Sequence, residues 1–429
     1  MYKLIKINIF FLVAFSVFPL LVLVAIWVRL NRSRKNGLRL VWGSTAIINY
    51  SHWSRAMRKH GYSSETFVTG YISEINARED WDRVLSDEYR FLFSFLKPYA
   101  AFASSLIRYD AFFMSFDGFF LGHTPLKRMQ SWIFRIAGKK TIVLPYGADG
   151  YEYSKVRDLS TFLALQLSYP QSARQQDTIG KTVKYWIKNA DAFIPAFMAF
   201  DGFGRCDVLV PNSLTLDLDQ WKPSVRNNPS NGTGDPVVIV HSPNHRGFKG
   251  TEFIIEAVEA LCEEGLNVEL RLLEGIQNSQ VREALCNKTD ILVEQVVFAG
   301  HGLNALEGMA SGVVTVSNLE ADEIMQPFRR WSYFDECPIV SAAPENLRDV
   351  LRILVTQPKL RSKLGQSGRK YTEKYFSSEA SYYLFSNVLD YVFGRKDTLL
   401  NLYHPILGEY PNRSPKIQHP LVNSRIVDE

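Results

Sequence analysis

An apolar strand, a glycine turn, an amphipathic helix and a second strand follow one another near residue 40, and the same order begins again at Val237. This repeat constrains the chain more than any other feature. Strand, helix and strand in that order build the right-handed crossover of a parallel sheet covered by helices. In the first copy, residues 38–42 read as a strand ending at Gly43, residues 50–60 have helical spacing closed by Gly61, and residues 65–68 form the next strand. Further strands are expected at 110–114 and 141–144, the latter after a basic amphipathic stretch, 127–140. In the second copy, 237–240 is a continuous β-branched run, as a strand buried on both faces requires. The helix after it places Ile254, Val258, Leu261 and Cys262 on one side. Strands at 267–273, 290–293 and 313–316 then alternate with helices at 279–286 and 305–310.

Between the copies lies 223–236 (PSVRNNPSNGTGDP), a polar segment rich in Asn, Gly, Pro and Ser that reads as a linker. The expected fold class is therefore α/β, with two Rossmann-like domains, 37–222 and 237–394, facing a cleft. A length of 429 residues with 46% apolar residues supports two such cores. Ligands bind beyond the strand C-termini in sheets of this kind, so Gly43 marks the ligand-facing end of the first strand. Residues 371–393 have a helical pattern, and 395–429 is polar with scattered proline, so a poorly ordered tail is expected there.

Residues 9–28 contain no charged side chain, and a helix of that length spans about 30 Å, the thickness of a bilayer's hydrocarbon core. It is longer than the roughly 7–15 apolar residues of a cleaved signal peptide. Residues 1–36 are therefore expected to form a single-pass membrane anchor. Lys3 and Lys6 precede it, and Arg29, Arg32, Arg34 and Lys35 follow it, so the positive-inside rule places the globular part in the cytoplasm.

Composition removes several classes. The net charge of +5 comes without dense Lys/Arg patches, so nucleic acid is not an implied partner. The cysteines, Cys206, Cys262, Cys286 and Cys337, form no C-x-x-C pair and read as small core residues rather than zinc ligands or a disulfide framework. Asp217-Leu-Asp219 spells a D-x-D metal motif but lies at the approach to the linker, and no metal is assigned to it. Gly202-Phe-Gly204 lacks the third glycine and following acidic residue of a dinucleotide fingerprint. No cofactor is expected.

The residues that carry chemistry cluster in the second half. The loop from His241 to Thr251 (HSPNHRGFKGT) runs from a strand end into a helix N-terminus, where unpaired amides, the helix dipole, Arg246 and Lys249 make a site for an anion such as a diphosphate. The stretch from Ala299 to Gly312 (AGHGLNALEGMASG) has Gly300 and Gly302, which allow backbone amides to approach a phosphate, then Leu303 and Glu307, a carboxylate able to accept two hydrogen bonds from a vicinal diol such as ribose. The plainer reading, glycines that only let a helix pack on the sheet, gives way once Lys249 is counted with them.

Over these motifs the chain resembles the retaining GT-B glycosyltransferases of family 4, also called glycosyl transferases group 1, from about residue 38 to 389 and most strongly over 238–320. The resemblance implies that Lys249 contacts the donor diphosphate and that Glu307, the second Glu of a Glu-seven-residue-Glu motif, holds the nucleotide ribose. Asn212 and 217–223 (DLDQWKP) look like the family's loop before its linker. The motif's first Glu, which in the family contacts the transferred sugar, is Ala299 here, so the motif is nearly silent about the sugar. Pro145 to Gly150 (PYGADG) resembles a loop facing the reaction centre, with Asp149 toward acceptor or sugar; an Asx turn with Gly150 is the alternative.

The implied reaction moves a sugar, with retention, from a nucleotide diphosphate sugar to a glycan, lipid-linked or polysaccharide acceptor. Lys249 with Arg246 would stabilise the leaving diphosphate without a metal. A non-catalytic GT-B scaffold and a sugar-nucleotide epimerase remain alternatives. His123 and His241 sit near strand ends but read as structural histidines, and the aromatic stretch 89–99 reads as core.

Overall fold

The computed structural model describes residues 2–31 (backbone alone over 2–9), 37–73, 76–196, 203–223 and 229–427. Arg32, Arg34 and Lys35, Gly202 and linker positions 224–228 lie outside the described residues.

Two parallel sheets organise the chain. The first contains β1 (Arg39–Ser44), β2 (Ser63–Val68), β3 (Arg83–Val84), β4 (Ala111–Met114), β5 (Lys140–Val143) and β6 (Ala192–Phe193), in the order β3-β2-β1-β4-β5-β6. The second contains β7 (Val237–His241), β8 (Val268–Leu272), β9 (Ile291–Gln295), β10 (Val314–Ser317) and β11 (Val340–Ser341), in the order β11-β10-β9-β7-β8. Every pairing in both sheets is parallel. Each order reverses direction beside its first strand, which opens a crevice at the strand C-termini.

The central strands are buried on both faces, which explains their unbroken apolar runs. One face of the first sheet, with Trp42 and Phe113, belongs to the same apolar cluster as Val238, Val240 and Leu292 of the second. The crossover back is made by the helix Ser378–Val392, which packs against the helix Ile48–Lys59. Its Phe385 ring lies 4.9 Å from Trp42, 5.4 Å from Trp53 and 5.5 Å from Phe113, edge-on to each. The domains are therefore held by a shared core as well as by the linker.

The helix Tyr2–Leu30 is long and apolar enough over Phe10–Leu30 to cross a membrane. It packs against the helices Lys97–Arg108 and Gln130–Ile136, with Ala14, Leu21, Ala25 and Val28 buried.

Three expectations are corrected. The segment after residue 395 is packed rather than poorly ordered: Leu399, Leu402, Tyr403 and Tyr410 are buried, and β12 (Leu421–Val422) and β13 (Arg425–Ile426) form a separate antiparallel hairpin beside β11, where Ser341 N–H donates to the turn residue Ser424 O at 2.7 Å. Its polarity misled because the apolar residues are few and spaced without period. Cys262 is exposed, with Cys206 and Cys286 half-buried and only Cys337 enclosed. The aromatic stretch is not all core, since Phe91 and Phe93 are largely exposed.

Phe385→Ala would leave a cavity bounded by three aromatic rings. It is expected to lower unfolding stability by about 3 kcal/mol, measured by urea denaturation, with loss of the near-ultraviolet signal from Trp42 and Trp53.

Candidate functional site

The cleft between the sheets holds a cavity of about 520 Å³. Its first-domain wall includes Tyr146, Tyr151, Leu165 and Tyr169; its second-domain wall includes Phe248, Lys249, Gln295, Phe298, Gly300, His301 and Gly302. The helix Leu159–Ser168 of the first domain leans across to the segment Arg246–Lys249, and Tyr151 and Tyr169 meet Phe298 and Phe248 with ring centroids 6.0 and 5.9 Å apart. One flank of the cavity is thus aromatic and apolar.

Lys249 ends a single helical turn, and Gly250 follows at φ +80° before the helix Thr251–Glu263 begins. A side chain at Gly250 would meet Val296 Cγ2 at 2.5 Å, so both conformation and space demand glycine. This turn carries Lys249 Nζ to the C-terminal end of β9, where it donates to Glu294 Oε1 at 2.9 Å and Gln295 Oε1 at 2.7 Å. Arg246 goes elsewhere: it is exposed and bonded to Glu252 and Glu274, each at 2.8 Å.

Glu294 was not evident from the sequence. Its side chain is 1% exposed, and its carboxylate accepts the Gly302 N–H at 3.0 and 3.1 Å as well as Lys249. A Cβ at Gly302 would sit 3.0 Å from that carboxylate, a tight contact. Gly300, at φ +115°, donates its N–H to Asn318 O at 2.8 Å. The amides of both glycines therefore turn inward, and the helix Leu303–Ala310 begins just beyond them with its first-turn amides, those of Leu303 and Asn304, at the position where a helix lacks internal acceptors.

Glu307 lies on that helix and is buried; Asn278 Nδ2 donates to one of its oxygens at 3.0 Å and Asn304 Nδ2 to the other at 3.1 Å. Burial pushes its carboxyl up to about 7, against the lowering by both amides. Asp149 is also buried, and its carboxylate accepts the N–H groups of Phe116, Tyr146 and Gly147 at 2.9, 2.9 and 3.0 Å. It joins two strand-end loops, and burial followed by the nearby Asp117 raises it to about 7. Gly43 lies against β2, where a Cβ would fall 2.0 Å from Phe67 O. Of the residues singled out from sequence, Lys249, Gly300 and Gly302 are on the cavity wall; Arg246, Leu303, Glu307, Asp149 and Gly43 are not.

Ala299 is buried at the domain contact, and its N–H donates to Thr161 Oγ1 of the helix Leu159–Ser168 at 3.3 Å. A carboxylate at that position would be pressed under this helix, which gives a physical reason for the alanine. His241 is satisfied internally, by Val293 O at 2.7 Å and Thr251 Oγ1 at 2.9 Å, and burial pushes it down to about 4. Asp217 caps its own turn through Asp219 N–H and Gln220. Among the described residues, no group of three His, Cys, Asp or Glu could hold a metal ion.

No protein-family model and no curated protein matches the chain. Solved structures do. Sucrose-phosphate synthase from Thermosynechococcus elongatus aligns with a TM-score of 0.54 at 13% identity, over 83% of this chain and 100% of that one. Anabaena HepE aligns with a TM-score of 0.52 at 11% identity, over 82% of this chain and 100% of that one, in its complexes with UDP and with UDP-glucose alike. With its paired parallel sheets, the chain has the GT-B fold of glycosyltransferases.

The buried Glu307 sets a pH dependence. Its carboxyl titrates near 7 in the folded chain and near its ordinary 4.5 when exposed, so between those values the folded state holds the extra proton and stability falls as pH rises. The thermal midpoint is expected to drop more from pH 5 to pH 8 in wild type than in Glu307→Gln, compared by differential scanning fluorimetry.

Proposed function

We propose that this chain is a nucleotide-sugar-dependent glycosyltransferase whose donor binds in the interdomain cleft. The observation that carries this reading is the placement of Lys249 on the cavity wall beside the N-terminus of the helix Leu303–Ala310, with Glu307 on the second turn of that helix. A diphosphate between Lys249 and the amides of Leu303 and Asn304 would meet a cation and a helix dipole together, where charge grows on the leaving group. Glu307 lies behind the cavity wall, so a ribose would reach it only by displacing Asn278 and Asn304 from its two oxygens. UDP and UDP-glucose bound to the similarly folded HepE fit this choice of donor.

Glu294 changes the electrostatics first expected. Lys249 already balances one carboxylate, so its net attraction for a diphosphate is smaller than that of an unpaired lysine, and Arg246, drawn to Glu252 and Glu274, adds little. Glu294 therefore acts as a positioning residue that fixes both the ammonium and the Gly302 turn. The transferred sugar would rest against the aromatic flank of Tyr146, Tyr151, Tyr169 and Phe298 rather than against a carboxylate at 299. We assign a hexosyl transfer with retention, without metal or cofactor, to a glycan, lipid-linked or polysaccharide acceptor at a membrane. The buried Ala299 and the prior pairing of Lys249 favour one second reading, a GT-B scaffold that binds nucleotide without transferring sugar.

Lys249→Ala is expected to lower turnover of the cognate nucleotide sugar roughly 100-fold, and Glu307→Ala to weaken donor binding by about tenfold. Donor-panel turnover assays and calorimetry with UDP check these outcomes. Unchanged turnover in both variants overturns the site, and UDP binding without turnover of any donor selects the scaffold.

A further inference from the structure

We propose that the N-terminal helix does not cross the bilayer but lies along its surface, docked on the first domain, with its outer face immersed in one leaflet. The helix is apolar on every side, yet its two sides have different partners. Ala14, Leu21, Ala25 and Val28 are all no more than 6% exposed and share a core cluster with Phe102 and Phe134 of the two helices beneath. On the opposite side, Phe15 is 82% exposed, and Leu12, Leu23 and Leu30 each exceed 60%. Contact runs along the helix rather than at its end: the Phe18 ring stacks on Trp132 at 5.9 Å, and Arg29 covers Gly138, where a Cβ would fall 2.3 Å from Nη1.

This docking is incompatible with spanning. Phe18 is two residues, or about 3 Å along the axis, from the centre of the apolar stretch Phe10–Leu30. Were the helix upright, the bilayer midplane would pass close to Trp132. Arg135, three residues after Trp132 on the same helix, and Arg128, in the turn just before that helix, would then lie in hydrocarbon with much of the first domain. Laid flat, the same arrangement is favourable. The exposed leucines and phenylalanines enter the leaflet, and Arg128 and Lys127, both exposed and without an ion pair among the described residues, sit where anionic headgroups lie. Trp132, 43% exposed, adds an aromatic ring suited to that interface. The occupant we assign to the outer face is therefore a lipid leaflet, not a second copy of the chain.

The test uses the full chain in sealed phosphatidylcholine–phosphatidylglycerol vesicles. The wild-type exposed thiol, Cys262, reports the globular side, and Lys3→Cys reports the other end of the helix. With an impermeant maleimide, both thiols are expected to react on the same vesicles before detergent is added, giving doubly labelled molecules. Single labelling, with the second thiol reacting only after detergent, places the two on opposite sides and overturns the proposal. So does a chain that fails to float with vesicles, or one that elutes as a lipid-independent dimer. Leu23→Glu, on the outer face, is expected to keep the wild-type thermal midpoint while weakening flotation about 100-fold. Reversing Lys127 and Arg128 to Glu is expected to weaken binding to anionic vesicles about tenfold but leave neutral vesicles little affected; equal loss on both would overturn the assigned headgroup contact.

Discussion

The packing of Phe385 into the ring cluster of Trp42, Trp53 and Phe113 is the constraint on which the rest of the molecule depends. It is a contact between the last helix of the second half and the central strands of the first sheet, so it fixes the angle at which the two sheets face. The candidate site lies at that facing. Aromatic rings of this size remove large apolar areas from water and lock neighbouring side chains in few rotamers. Trp53 adds a hydrogen bond from Nε1 to Ser213 O at 2.8 Å, tying the connecting segment into the same joint.

Given that geometry, the site is an exercise in charge balance. A buried ammonium without a partner is costly, and so is a buried carboxylate; Lys249 and Glu294 remove both costs by pairing at the end of β9. The pairing extends into the loop: Gly300 turns through a positive φ, and the Gly302 amide reaches the same carboxylate. The glycine-rich turn thus serves first as a scaffold for Glu294 and only through it as part of a ligand site. What this leaves open on the cavity side is the N-terminus of a short helix and one shared cation.

Much of the fold was legible because central parallel strands are continuous apolar runs, and 237–240 or 313–316 stands out without any partner being known. The strands missed are β3, β6 and β11 in the two main sheets and β12 and β13 in the C-terminal hairpin, two residues each, which exist by pairing with a neighbour and carry no period of their own. Lys249 and the glycine loop were legible as motifs. Glu294 was not, because its meaning lies in a lysine 45 positions away. A polar Glu-Gln pair directly after Ile291-Leu-Val is nevertheless a signal: a charge at the C-terminal end of a buried strand points at the ligand edge of the sheet. Asp149 reads in the sequence as a motif-like acid, and the structure adds three backbone hydrogen bonds through which it also braces two loops.

The N-terminal helix illustrates why composition alone cannot orient a segment. An uncharged stretch of this length satisfies a bilayer whether it stands or lies, since its own backbone hydrogen bonds are internal in either case. What decides is the neighbourhood. The small side chains of Ala14 and Ala25 allow close approach to the underlying helices, and the arginines around Trp132 forbid that neighbourhood from entering hydrocarbon. The orientation is therefore written in residues a hundred positions downstream of the helix it concerns. A helix fused to the domain beneath it gives the cleft a fixed attitude to a lipid surface on which that helix rests, which a freely jointed tether would not.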